Sequence, residues 1–314
     1  MAYLRKRRYT RRKSGSYKAR KTTRYSARRS TSTGKTRRYT RKRPMSKRTI
    51  LNTTSRKKQD NMLSFSNTNG AGASQTVAAG SLFVNGSTGY AMSVFCPTAR
   101  SFITAGSTGS IVDVSDRNAM TCYMRGYSEN LRIQTSSPLP WLWRRICFTT
   151  KGGSFTQPAT GDTAPTQTVQ PYSDTSIGMA RKWFNLQVNN SPNTVAAYNG
   201  IIFKGTFGYD WNDVITAKTD QTRITVKSDV TRRIITGNNS GHFSERKLWY
   251  PMNRNLVYDD DEQGAAEIPS YYSTGAKPGM GDYFIVDYVV PGVGGTSSDV
   301  INLNCTATLY WHEK

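Results

Sequence analysis

The first 58 residues hold 24 Lys and Arg and no Asp or Glu, so this one segment carries the whole +24 net charge of the 314-residue chain. The other 20 basic and 20 acidic residues, all from Gln59 onward, cancel. A block of like charge repels itself. Its few aliphatic side chains, Leu4, Ala19, Ala27, Met45, Ile50 and Leu51 among them, bury too little surface to offset the entropy of ordering a backbone. The charge pattern therefore predicts a disordered arm over residues 1–58 and a folded body over residues 59–314.

A polycation of this density calls for a polyanion. The basic residues come in clusters: Arg5, Lys6, Arg7 and Arg8; Arg11, Arg12 and Lys13; Arg28 and Arg29; Arg37 and Arg38; Arg41, Lys42 and Arg43; Lys47 and Arg48; Arg56, Lys57 and Lys58. These are the expected nucleic-acid-binding residues. Arginine predominates, and its planar fork grips phosphate with paired hydrogen bonds and stacks on bases. Tyr3, Tyr9, Tyr17, Tyr25 and Tyr39 are interleaved and offer platforms to unpaired bases, which favours a single strand over a duplex. No apolar run follows the first basic residues, so no secretory signal is expected, and the scattered apolar residues make no amphipathic transit helix. Runs such as Arg41-Lys42-Arg43-Pro44 suit nuclear import as well as phosphate binding, so host import machinery is an expected partner.

The remaining 256 residues suffice for one large all-β domain. No stretch of 18 apolar residues occurs, so membrane insertion is not expected. Cys96, Cys122, Cys147 and Cys305 are widely spaced, with no Cys-x-x-Cys pair and no histidines placed to complete a zinc site, and they read as buried reduced thiols. Strand patterns dominate. Ile301, Leu303, Cys305, Ala307, Leu309 and Trp311 alternate with polar residues over eleven positions. Other expected strands are Met120 to Met124 continuing to Ile133, Trp141 to Thr149, Tyr90 to Phe95, Ala196 to Thr206, Thr222 to Val226, Thr231 to Thr236 and Tyr283 to Val290. Gln59 to Phe65 or Ser81 to Val84 brings the count to about eight. Lys151 to Ser173, rich in Gly, Pro, Thr and Gln, and Tyr250 to Gly281, with Pro251, Pro269, Pro278 and an acidic centre, are expected as long surface loops. A short helix is expected from Asp174 through Phe184.

Catalytic chemistry finds little support, and neither a catalytic residue, a cofactor nor a metal site is expected. His242 and His312 are the two histidines, and neither has a nucleophile or orienting carboxylate in a local motif. No phosphate-binding loop, dinucleotide fingerprint or nucleophile elbow is present. The run Asp259-Asp260-Asp261-Glu262 reads as a wet loop, its repulsion relieved by water, a cation or a neighbouring basic surface. Within the strands, Arg144-Arg145 and Arg232-Arg233 put at most one cation of each pair on a given face. Trp143 reads as a core tryptophan beside a surface arginine, with base stacking as the alternative.

Eight or so strands with long loops fit an immunoglobulin-like sandwich, an up-and-down barrel or a jelly roll, and periodicity does not choose among them. The arm, Tyr123-Met124-Arg125-Gly126, the run Leu139-Pro140-Trp141-Leu142-Trp143-Arg144-Arg145-Ile146-Cys147-Phe148 and the closing Cys305-Thr306-Ala307-Thr308-Leu309-Tyr310-Trp311 together resemble the capsid proteins of genomoviruses, small circular single-stranded DNA viruses related to geminiviruses. The resemblance implies a single eight-stranded antiparallel jelly roll. It also implies a sixty-subunit T=1 shell or a geminivirus-like variant, packaging of circular single-stranded DNA, and residence in the virion and the host nucleus. A cellular architectural or ribosome-like nucleic-acid-binding protein, with a basic tail and no shell, is the alternative reading.

Overall fold

A computed structural model of the protein describes residues 44–104 and 107–314. In chain order, helix α1 (Lys47–Thr54) leads into β1 (Arg56–Thr68), β2 (Ser74–Ala79), β3 (Leu82–Asn85) and β4 (Ala91–Phe95). A two-residue pair, β5 (Ile103–Thr104) and β6 (Ser107–Thr108), is followed by β7 (Thr121–Thr135) and β8 (Trp141–Thr150). Next come α2 (Thr166–Val169), β9 (Ser173–Thr175), β10 (Gly178–Trp183), a 3-10 turn at Leu186–Val188 and α3 (Pro192–Ile202). The chain closes with β11 (Thr225–Ile234), β12 (Phe243–Val257), β13 (Asp261–Gln263), β14 (Ala266–Ile268), β15 (Asp282–Pro291) and β16 (Val300–Glu313). The described body is predominantly β, as the sequence predicts.

Two sheets carry it. One runs β12-β7-β16-β1-β10-β9, with β2 on β1 and β3 on β16; the other runs β11-β8-β15-β4. Their facing side chains interlock. Met62, Met124, Leu309 and Trp311 of the first meet Phe95, Cys147 and Ile285 of the second, and further along Leu131, Ile133, Ile301 and Leu303 meet Trp141, Trp143 and Val289. The alternation in β16 arises from this packing, because its odd-numbered side chains enter the core while the even-numbered ones face away. By contrast, β8 and β15 are buried on both faces, which explains their unbroken apolar runs. Their second face carries Ile146, Phe148, Phe284, Val286 and Tyr288 into another core with Phe155, Val169, Leu186, Val195, Tyr198 and Phe203. The four-stranded sheet thus has the larger sheet on one side and α3 with its flanking segments on the other.

Several expectations need correction. The folded unit begins at Ser46 rather than Gln59. Residues 47–58, expected in the arm, form α1 and the start of β1, because β1 pairs with β16 from Arg56↔Glu313 inward and that ladder satisfies its backbone. The large sheet is mixed rather than purely antiparallel, since β10 lies parallel to β1 at Ser64↔Arg181. The helix expected from Asp174 is instead the β9–β10 hairpin, where Gly178 at φ 105 supplies the turn. The strand expected at Ala196 to Thr206 is largely helix α3, initiated by Pro192 in its first turn. The strands expected at Thr222 to Val226 and Thr231 to Thr236 are one bulged strand, β11, which covers only Thr225–Ile234 of that stretch. The two long loops are not merely surface: Phe155 and Val169 plug the second core, and Tyr250 to Val257 completes β12. As an edge strand, β12 accommodates Pro251 and a bulge with Asn253 at φ 51, so its sequence lacks the usual strand signature.

Candidate nucleic-acid interface

The clusters from Arg5 to Arg43 lie outside the described residues. The remaining expected ligands divide. Lys47 lies exposed on α1, and Arg48 follows it in the same helix. Arg56 and Lys57 are exposed at the start of β1, where Lys57 Nζ donates to Asn52 O at 3.1 Å. Lys58 points the other way, as strand alternation requires. Its ammonium is buried, 3.2 Å from Glu313 Oε2 and 2.7 Å from Asp116 O, and this removes Lys58 from the phosphate-binding set.

Several cations of the body are likewise committed inside. Arg145 on β8 and Arg181 on β10 sit between the sheets with Glu129 on β7 and Asp287 on β15, all four essentially inaccessible. Arg145 Nε donates to Asp287 Oδ1 at 2.6 Å and its Nη1 reaches Glu129 Oε2; Arg181 Nε donates to Glu129 Oε1 at 2.7 Å and its Nη2 to Asp287 Oδ2 at 3.1 Å. Tyr127 and Trp143 complete the shell, donating to Glu129 at 2.6 Å and to Asp287 at 2.8 Å. Burial pushes the Glu129 carboxyl up, but Arg145, Arg181 and the Tyr127 hydroxyl outweigh it and hold the group at about 2. Burial also opposes both guanidinium charges, and Asp287 and Glu129 reverse it, leaving Arg145 and Arg181 above the ordinary arginine value. Two positive and two negative charges thus cancel in a site without water access.

Arg144 points to the opposite side of β8, into the second core. It grips Asp229 through Nε and Nη2 at 2.9 and 2.7 Å, and its Nη1 donates to the carbonyls of Val214, Ile215 and Ala217. It is no surface arginine, and Trp143 beside it is a core residue. Arg117 pairs with Asp260 at 2.6 and 2.9 Å and lies over the Tyr258 ring at 3.8 Å. The acidic run is therefore not one wet loop: Asp260 is an interior anion, while Asp259, Asp261 and Glu262 are exposed or at the rim. No group of three or more His, Cys, Asp or Glu side chains among the described residues converges to hold a metal. Buried Lys182 has no carboxylate; its Nζ donates to Thr168 O at 2.7 Å and to Gln170 O, and burial holds it well below the ordinary lysine value.

Each histidine ring has a side-chain neighbour. His242 Nε2 is 2.9 Å from Ser244 Oγ without a carboxylate hydrogen bond to orient the ring, and His312 packs against Tyr123 at 5.9 Å between centroids. All four cysteines are buried free thiols, as the sequence predicts. No helix among the described residues is long and apolar enough to cross a membrane. Compared with known proteins, the chain matches no family model and no curated protein.

The buried quartet was not anticipated, although its signal is present. Glu129 sits at an inward position in register with Leu131 and Ile133, and Asp287 interrupts the apolar run from Tyr283 to Val290. A carboxylate at a core position demands a partner, and Arg145 and Arg181 are cations at similar core positions.

Proposed function

We propose that the chain is a viral capsid protein of the genomovirus-like kind, whose body assembles into a closed shell and whose amino-terminal arm condenses single-stranded DNA without reading its sequence. The observation that carries the reading is the segregation of charge. Residues 1–45 hold 19 of the 44 Lys and Arg and no acid, while the body from Ser46 onward spends its internal cations on its own carboxylates and carbonyls. The body's cations are offset by its 20 acidic residues to a net +5, against +19 in residues 1–45, so most of the non-specific phosphate binding falls to the arm.

Strand order supports the jelly-roll part of the proposal. Taking β1, β4, β7, β8, β11, β12, β15 and β16 as one to eight, they run 1-8-3-6 in one sheet and 2-7-4-5 in the other. That is the order produced by two interlocked Greek keys. The additional strands β2, β3, β9 and β10 then decorate the edges of an eight-stranded sandwich. Such a body is a structural tile and not an enzyme, and the arm's nuclear-import runs would bring it to the host nucleus.

Electron microscopy of the purified protein tests the shell: closed particles of uniform size are expected, and monomers or small complexes alone would support the shell-free nucleic-acid-binding protein instead. The arm is tested by salt. Affinity for a single strand is expected to fall with a log-log slope of about 0.7 per phosphate contacted, and removal of residues 1–45 is expected to flatten that slope strongly.

A further inference from the structure

The face of the larger sheet turned away from the core stays open along β7 and β12. Trp249 on β12 is 48% exposed there, and its indole rests on the backbone of Gly126 in β7. A Cβ at Gly126 would come within 2.6 and 2.8 Å of the indole ring, so only glycine lets the tryptophan lie down on the sheet. Tyr310 of β16, in register with Gly126, flanks it with ring centroids 5.7 Å apart. A large aromatic laid on a solvent-facing sheet gains little from folding that a smaller residue would not, and its uncovered side is a stacking surface.

Charge on this face is one-sided. Lys57, Arg125, Arg132 and Lys247 are exposed on it, and the carboxylate sharing it is Glu245, opposite Arg132 in the ladder and not ion-paired with it. Burial first, then Lys57 and Arg125, hold the His312 imidazole below its ordinary value, which places both cations near that ring. These cations contrast with Arg145, Arg181, Arg144 and Arg117, each of which is ion-paired with a carboxylate.

We propose that this face is a second binding surface for single-stranded nucleic acid, on which unpaired bases stack against Trp249 and Tyr310 while backbone phosphates meet Lys57, Arg125, Arg132 and Lys247. The inference rests on the reading of the chain as a nucleic-acid-binding protein. It differs from the arm in what it recognises: the arm needs only phosphate, whereas this face needs bases free to stack. A duplex, whose bases stack on one another, engages it poorly.

The test uses tryptophan emission of the full chain. Trp141, Trp143, Trp183 and Trp311 are fully buried and Trp211 is half-buried, so quenching by a ligand reports chiefly on Trp249. Titration with an oligothymidine of about 20 nucleotides is expected to quench the emission, and inorganic polyphosphate is expected to bind without quenching. Trp249→Ala is expected to abolish the quenching and weaken oligothymidine binding about tenfold, leaving polyphosphate affinity unchanged. Quenching that survives in Trp249→Ala, equal quenching by polyphosphate, or an emission change that follows protein concentration without ligand would each overturn the proposal, the last by showing that a second copy covers the face. If neither polyanion binds in a salt-dependent way, the parent reading fails too, so the two failures are distinct. As a second measurement, photocross-linking of a bromouracil-containing strand is expected to label Trp249 or Tyr310, and labels confined to residues 1–45 would again overturn it.

Discussion

Lys58 Nζ lies 3.2 Å from Glu313 Oε2, both side chains no more than 4% exposed, so a buried ion pair ties the first long strand to the last. Glu313 also accepts from Trp311 Nε1 at 2.7 Å and Asn118 N at 3.2 Å. A chain beginning at residue 46 keeps this arrangement, whereas one beginning at residue 59 leaves Glu313 buried without its cation. Breaking one side of a buried pair costs about 3–5 kcal/mol, roughly 10 °C in a domain of this size. The 46–314 chain is expected to melt with the full-length protein and the 59–314 chain well below it. Equal melting of the two shortened chains, followed by circular dichroism, would show that the pair contributes nothing.

The quartet of Arg145, Arg181, Glu129 and Asp287 should behave as a unit. Arg181→Met leaves two buried carboxylates facing one guanidinium and is expected to cost about 3–5 kcal/mol in urea unfolding. Adding Glu129→Leu removes the surplus charge and leaves the Arg145–Asp287 pair intact. The double variant is therefore expected to be more stable than Arg181→Met alone, and a double-mutant cycle gives the coupling. Strict additivity of the two changes would mean the charges are not coupled as the geometry indicates.

How much of this was legible in the sequence depended on whether a signal was local. The alternation in β16 reflects one buried face and could be read directly. The apolar runs of β8 and β15 reflect two buried faces and also read as strands. Edge strand β12 could not be read, because Pro251 and the bulge at Asn253 are tolerated only where one side of the strand is unpaired, and pairing is a property of the fold. Likewise, the charge census placed the arm boundary at residue 58, since Arg56, Lys57 and Lys58 continue the basic run. Strand pairing with β16 and the carboxylate of Glu313, 255 positions from Lys58, move the boundary back to Ser46. The clusters from Arg5 to Arg43 lie outside the described residues.

Two carboxyls give the stability curve opposite slopes. Asp282, buried and hydrogen-bonded to Ser273 N at 3.0 Å and Oγ at 2.9 Å, is raised by burial to about 6 despite those bonds. Its folded value exceeds its unfolded one, so its contribution is fully present below about pH 4 and is lost as pH rises through about 6, a change of about 3 kcal/mol. Glu129 is depressed to about 2, so its contribution is present above its unfolded value and is lost as pH falls below about 4. Chemical unfolding between pH 4 and 7 is expected to show a descending limb that disappears in Asp282→Asn, whereas the loss below pH 4 persists. A limb unchanged in Asp282→Asn would assign it to other groups.

The thiols should be silent in the native state. Burial pushes Cys147 and Cys305 up to about 12, and Cys96 and Cys122 higher still, so almost no thiolate exists at neutral pH. A disulfide-exchange reagent is expected to titrate essentially none of the four in native protein and all four in denaturant. Fast labelling of the native protein would indicate local opening between the sheets.

Moving the boundary to Ser46 redistributes the charge without changing its total. Residues 1–45 hold 19 basic residues and no acid, and residues 46–314 keep a net +5 of the +24. Sixty copies, the number implied by the family resemblance, would bring 60 × 24, or about 1,440, positive charges, enough to neutralise roughly as many nucleotides. With mobile cations covering a surplus, the packaged molecule is expected to be a single-stranded circle of roughly one and a half to two and a half kilobases. Particles assembled from a chain lacking residues 1–45 retain about a fifth of that charge and are expected to hold correspondingly little nucleic acid. Extraction, nuclease digestion and sizing test both statements. Duplex DNA, RNA, a molecule many times this length, or full loading of particles without the arm would sink the sixty-copy shell or the role assigned to residues 1–45.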